Sequence, residues 1–79
     1  MRITTTRINE GKDIRITGRC KQEEYRSMYE VFQVIEHEAR IYRAESWIYP
    51  TNLPTCISFQ IHFKTSKQCN KFEQAIRRA

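Results

Sequence analysis

Residues 56–64 read Cys56, Ile57, Ser58, Phe59, Gln60, Ile61, His62, Phe63, Lys64, an unbroken alternation of apolar and polar side chains. Successive residues of a strand point to opposite faces. Ile57, Phe59, Ile61 and Phe63 therefore share one face, and Cys56, Ser58, Gln60, His62 and Lys64 share the other. A strand with one buried and one solvated face belongs to an antiparallel sheet. The remaining chain must supply neighbouring strands for its edges and a cover for its Ile/Phe face.

Working outward, Ser46–Tyr49 predicts a short strand that ends at Pro50. Pro50, Thr51, Asn52, Leu53, Pro54 and Thr55 form a loop stiffened by two prolines. If Ile48 faces the core, Trp47 and Tyr49 join the polar face. Near the start, Arg2–Ile8 is rich in Thr and Ile, and Asp13–Arg19 alternates around Ile14 and Ile16. The polar cluster Asn9, Glu10, Gly11, Lys12 between them signals a hairpin. A two- or four-residue loop groups Ile14 and Ile16 with Arg7 and Thr5. A three-residue loop with Gly11 in a bulge groups Ile8 with Ile14 instead.

The cover comes from two helical stretches. Gln22–Glu45 lacks Gly and Pro, and Tyr25, Met28, Tyr29, Phe32, Ile35, Ala39 and Tyr42 recur at spacings of three and four. Glu23 and Glu24 sit where the helix dipole favours acids, and Glu36 and Arg40 are an i, i+4 pair. Val31, Val34 and Ile41 widen the apolar arc to roughly 200°. One sheet covers only part of that arc, so the shoulder needs the last helix, a partner chain or a second copy. Thr65 and Gln68 fit a capping box opening a helix to about Arg78, with Cys69, Phe72 and Ile76 on its apolar side. The order β-β-α-β-β-α predicts an α+β two-layer sandwich, with a four-stranded antiparallel sheet and both helices on one face. Pattern does not fix the strand order.

Residues 1–79 make one domain. Ile, Val, Leu and Phe together number 17. A core that small is used up in holding the chain folded, which excludes a large enclosed active site. The longest apolar run, Trp47–Tyr49, is too short to span a membrane, and the start lacks the apolar segment of a signal peptide. Three cysteines at gaps of 36 and 13 residues suit neither a disulfide framework nor paired zinc ligands. The expectation is a cytoplasmic protein with no metal and no other cofactor. Cys56 and Cys69 read as small hydrophobes at the core's edge, and Cys20 as a loop cysteine between Arg19 and Lys21.

The net charge of +5 is uneven: +4 over residues 1–21, −3 over 22–45 and +4 over 46–79. Two basic surfaces follow. The open sheet face carries Arg15, Thr17, Arg19, Ser58, Gln60, His62 and Lys64, joined by Trp47 and Tyr49. Cations for phosphates and rings for stacking are what a single-strand platform needs. The plainer alternative is an ordinary solvated sheet face, with basic residues that blunt its edges. No RNP-like sequence, GXXG loop or helix-turn-helix pattern is present. The second surface is the outer ridge of the last helix, Lys67, Lys71, Gln74 and Arg78, suited to phosphates or to an acidic protein surface.

Catalysis has little to work with. Asp13 is the only Asp and lies at a turn, His37 and His62 are far apart, and Cys69 and His62 fall on opposite faces. The expected function is non-catalytic: a small binding or inhibitory protein acting on a nucleoprotein or nucleic acid through Arg15, Arg19, Trp47, Tyr49, Gln60, His62, Lys64, Lys67, Lys71 and Arg78. The alternative is a protein-protein interaction module or inhibitor of phage or mobile-element type. It would use the acidic helix and exposed aromatics and make no nucleic-acid contact. A homodimer through the Val34/Ile41 shoulder is compatible with both, and no membrane is involved.

Overall fold

The computed structural model describes residues 1–49 and 55–78, apart from the side chains of Tyr49 and Arg78. Along the chain run β1 (Arg2–Ile8), β2 (Asp13–Arg19), a short 3-10 turn (Gln22–Glu24), α1 (Tyr25–Ile41), β3 (Glu45–Tyr49), β4 (Cys56–His62) and α2 (Ser66–Arg78). The four strands form one antiparallel sheet in the order β1-β2-β4-β3. Most of the proline loop, residues 50–54, lies outside the described residues.

Hydrophobic pattern accounts for which two strands are central. β2 and β4 have the strongest apolar alternation and take the centre, contributing Ile14, Ile16, Phe59 and Ile61 to the core. β1 offers mostly Thr and Arg and contributes only the partly buried Ile3. From the helices come Met28, Phe32, Ile35 and Ala39 of α1 and Cys69 and Phe72 of α2, with Phe63 just after β4. Phe32 meets Phe59 edge-on at 4.9 Å, and Phe63 and Phe72 pack at 5.1 Å. Tyr42 closes this end with edge contacts to both.

The first hairpin has the four-residue loop. Gly11 N–H donates to the Ile8 carbonyl and Lys12 N–H to the Asn9 carbonyl, each at 3.2 Å. Asn9, Glu10 and Gly11 all take left-handed φ values. Arg7 is thus paired with Ile14 and Thr5 with Ile16. Arg7 lies on the helix side, where its Nη1 donates to Asn70 Oδ1 at 2.8 Å and reaches Glu73 Oε1 at 3.5 Å. Its Nη2 donates to the Gly11 and Ser66 carbonyls. One guanidinium therefore pins the hairpin loop, β1 and the first turns of α2 together.

Several expectations need correction. The long helix does not reach Glu45: Arg43 turns left-handed (φ 56°), Ala44 N–H returns to the Ala39 carbonyl, and Glu45 opens β3 opposite His62. A left-handed residue of this kind closes a helix. Tyr25 and Tyr29, expected in the core stripe, are exposed, because α1 tilts only Met28, Phe32, Ile35 and Ala39 inward. Ile48 pairs with Phe59 on the core side yet is 73% exposed, because β3 is an edge strand beyond the cover of α1. The Glu36–Arg40 pair forms at 2.9 Å. At α2, Gln68 N–H donates to Thr65 Oγ1 at 3.2 Å, an N-cap bond.

Candidate nucleic-acid interface

The three strand registers lay the open face out in rows across the sheet. The first row is Arg2, Arg19 and Cys56. The second is Thr4, Thr17 and Ser58, with Tyr49 placed opposite Ser58. The third is Thr6, Arg15, Gln60 and Trp47, and the fourth is Ile8, Asp13, His62 and Glu45.

Hydrogen bonds lock these rows together. In the fourth row Asp13, only 2% exposed, accepts from Asn9 Nδ2 at 2.7 Å and Gln60 Nε2 at 2.6 Å, and its Oδ1 lies 2.5 Å from His62 Nδ1. Because Gln60 gives its amide N–H to Asp13, its Oε1 is left to accept from Arg15 Nη2 at 3.3 Å. The chain Arg15–Gln60–Asp13–His62 thus fixes a guanidinium and an imidazole on one rigid surface. With Nδ1 engaged by Asp13, His62 presents Nε2 to a ligand, as an acceptor when neutral and a donor when protonated. Burial works to raise the Asp13 carboxyl. The hydrogen bonds from His62, Asn9 and Gln60, with the charge on His62, outweigh it and hold the carboxyl below the ordinary aspartate range. In the second row Thr17 Oγ1 and Ser58 Oγ are 3.2 Å apart, and Thr4 Oγ1 donates to the Thr17 carbonyl.

The first two rows enclose a shallow notch of about 290 Å³ lined by Arg2, Thr4, Thr17 and Arg19. Arg2 and Arg19 are direct cross-strand partners. Like charges directly opposite each other destabilise a sheet, and an anion between them removes that repulsion. Two cationic and two hydroxyl-bearing side chains thus line one solvent-open notch. Glu45, opposite His62, makes the other end of the face less basic.

Of the expected residues, Arg15, Arg19, Trp47, Gln60 and His62 share this face. Gln60 is buried, and its amide links Arg15 to Asp13. Lys64 is exposed just beyond β4. The expected contributions of Tyr49 and Arg78 fall on side chains outside the described residues. Lys67 and Lys71 are exposed on the side of α2 away from the buried Cys69 and Phe72, a surface separate from the sheet. Arg2 and Thr4 were not singled out from sequence, and Asp13 was not assigned to this face, because their places depend on the hairpin register and on β4 lying beside β2.

Among the described residues, the hydrogen-bond partners of the Asp13–His62 pair are Asn9 and Gln60. The thiol of Cys69 is fully buried, and burial pushes its pKa up against the pull of the Arg7 guanidinium. All three cysteines are free thiols. Among the described residues no group of three or more His, Cys, Asp or Glu could hold a metal ion, and no helix is long and apolar enough to cross a membrane. No protein-family model, curated protein or solved structure matches the chain.

Proposed function

We propose that the chain is a small non-catalytic binding or inhibitory protein, and that its open sheet face takes single-stranded nucleic acid, free or displayed by a nucleoprotein. The observation that carries this reading is the Arg2–Arg19 pair beside Thr4 and Thr17, a like-charge pair set at a solvent-open notch. Arg15, held by Gln60, extends the cationic track along the strands, and Trp47, 39% exposed two strands away in the same row, offers a ring for stacking. His62 adds a directional hydrogen-bonding nitrogen beside that track.

Fluorescence anisotropy with labelled oligouridylate and oligothymidylate at low and moderate salt tests the reading. Binding at low salt that weakens steeply as salt rises is expected. Trp47→Ala is expected to lose the stacking contribution of ~1–3 kcal/mol, and Arg2→Ala with Arg19→Ala to weaken both oligonucleotides alike. Absence of binding at low salt, with the parent folded by circular dichroism, rejects it.

A second reading, docking on a protein, draws on a groove of about 360 Å³ lined by Tyr29, Phe32, Trp47, Ile48 and Ile57 at the β3 edge. Aromatic anchors beside a hollow suit a protein interface. A pull-down complex that survives high salt and nuclease and is lost in Tyr29→Ala favours this reading over the first.

A further inference from the structure

We propose that β1 is the seam of a homodimer, in which two copies pair antiparallel along this strand and bury the apolar groove beside it. The inference stands apart from the nucleic-acid reading. β1 ends the sheet, so among the described residues the row of backbone groups on its outer side has no strand partner. Natural edge strands are blunted by bulges, prolines, exposed or inward-pointing charges, or short length. β1 has seven residues in uninterrupted register without Pro or Lys, and its inward-pointing Arg7 is taken up by Asn70 and Glu73 of its own chain.

Beside this edge lies a groove of about 620 Å³. Ile3 and Thr5 come from β1, Val31, Val34, Ile35 and Glu38 from α1, and Ala75, Ile76 and Arg77 from α2. Val34 is 64% exposed there. The groove accounts for Val31 and Val34 of the α1 arc, whereas the exposed Ile41 does not line it.

Three features favour a second copy as the occupant. The first is sequence symmetry. A two-fold axis across an antiparallel pair passes through one residue and its copy, and the middle of β1 is Thr4, Thr5, Thr6. Centred on any of these, the strand pairs threonine with threonine at or beside the axis, and never sets one arginine opposite another. Thr–Thr cross-strand pairs are favourable. The second is shape. α2 covers the Arg7 end of β1 through Asn70 and Glu73, whereas the groove lies at the Ile3 end. The two-fold exchanges these ends, so the covered half of each copy meets the hollow half of the other. The third is charge. α1 (Tyr25–Ile41) carries −1, with Glu38 at the groove, whereas α2 (Ser66–Arg78) carries +3. The same exchange brings the acidic helix of one copy toward the basic helix of the second. The product is an eight-stranded sheet with one continuous open face.

Sedimentation equilibrium of the full chain, without nucleic acid, over a hundredfold concentration range is the test. The expected result is a species of twice the chain mass that dissociates on dilution. Val34→Asp places a charge in the groove at an exposed position. The double variant Thr4→Lys with Thr6→Lys sets lysine against lysine across the seam in all three registers. Both variants are expected to stay monomeric across the range. A parent that is monomeric throughout, or a dimer that persists in either variant, overturns the proposal. Either outcome leaves oligonucleotide binding to be judged by its own experiment.

Discussion

A carboxylate removed from water loses several kcal/mol of hydration unless donors replace it, and Asp13 meets three of them in Asn9, Gln60 and His62. Replacing it by Asn keeps the shape but turns one oxygen into a donor that faces donors. Asp13→Asn is therefore expected to lower stability by ~1.5–3 kcal/mol in urea unfolding, the range for hydrogen bonds to charged groups. It should also free Gln60 and, through it, Arg15. The acid limb of stability follows from the same contacts. Asp13 is held below its ordinary range in the folded state, so the unfolded chain takes up the proton first. Its contribution is complete above the unfolded value of about 4 and is lost as pH falls through the lower folded value. Urea titrations between neutral pH and strong acid should show less acid loss in Asp13→Asn than in the parent. Sequence placed Asp13 at a turn and His62 on an outward face, both of which hold. Their contact was illegible, because it depends on β4 lying beside β2, and alternation along one strand says nothing about its neighbour.

Side chains of α1 press closely on β2 at Gly18. A Cβ built on Gly18 would lie 2.5 Å from Phe32 Cε2 and 2.8 Å from Met28 Sδ, both in the buried core. Gly18→Ala must push α1 off the sheet, and overpacking of this kind costs ~1–3 kcal/mol, readable as a lower thermal midpoint with the fold retained. At the start of α2, Thr65→Ala removes the side-chain acceptor for Gln68 N–H and should cost about 1 kcal/mol by the same measurement. The elements themselves were largely legible. The alternation of β4, the Thr65 cap and the Gly11 turn are local signals, and each lies where local chemistry placed it. The end of α1 was not, because Tyr42, Arg43, Ala44 and Glu45 do not break a helix on their own. Glu45 becomes strand because β4 offers it a hydrogen-bonded edge at His62. The exposure of Tyr25, Tyr29 and Ile48 was hidden for a related reason: periodicity marks a face, and the extent of the opposing layer decides how much of that face is covered.

At the scale of the molecule, the two basic surfaces lie on opposite sides of the core. Arg2, Arg15 and Arg19 line the open sheet, whereas Lys67 and Lys71 stand on the far side of α2 from the buried Cys69 and Phe72. A single strand lying along the rows of the sheet cannot reach both. Net charge alone treats the two surfaces as equivalent, and the salt dependence of binding separates them. Each phosphate neutralised on a single strand contributes ~0.7 to the slope of log affinity against log salt. If the Arg2–Arg19 notch and Arg15 engage about two or three phosphates, the parent slope should lie near −1.5 to −2, a factor of ~10 in affinity between 50 and 200 mM salt. Arg2→Ala with Arg19→Ala should flatten that slope by about one unit, whereas Lys67→Ala with Lys71→Ala should reduce affinity slightly through the long-range field and leave the slope unchanged. The reverse pattern, a flattened slope only in the α2 variant, would move the phosphate track to the helix layer and leave Trp47 and the hydrogen-bonded rows of the open face without a role in it.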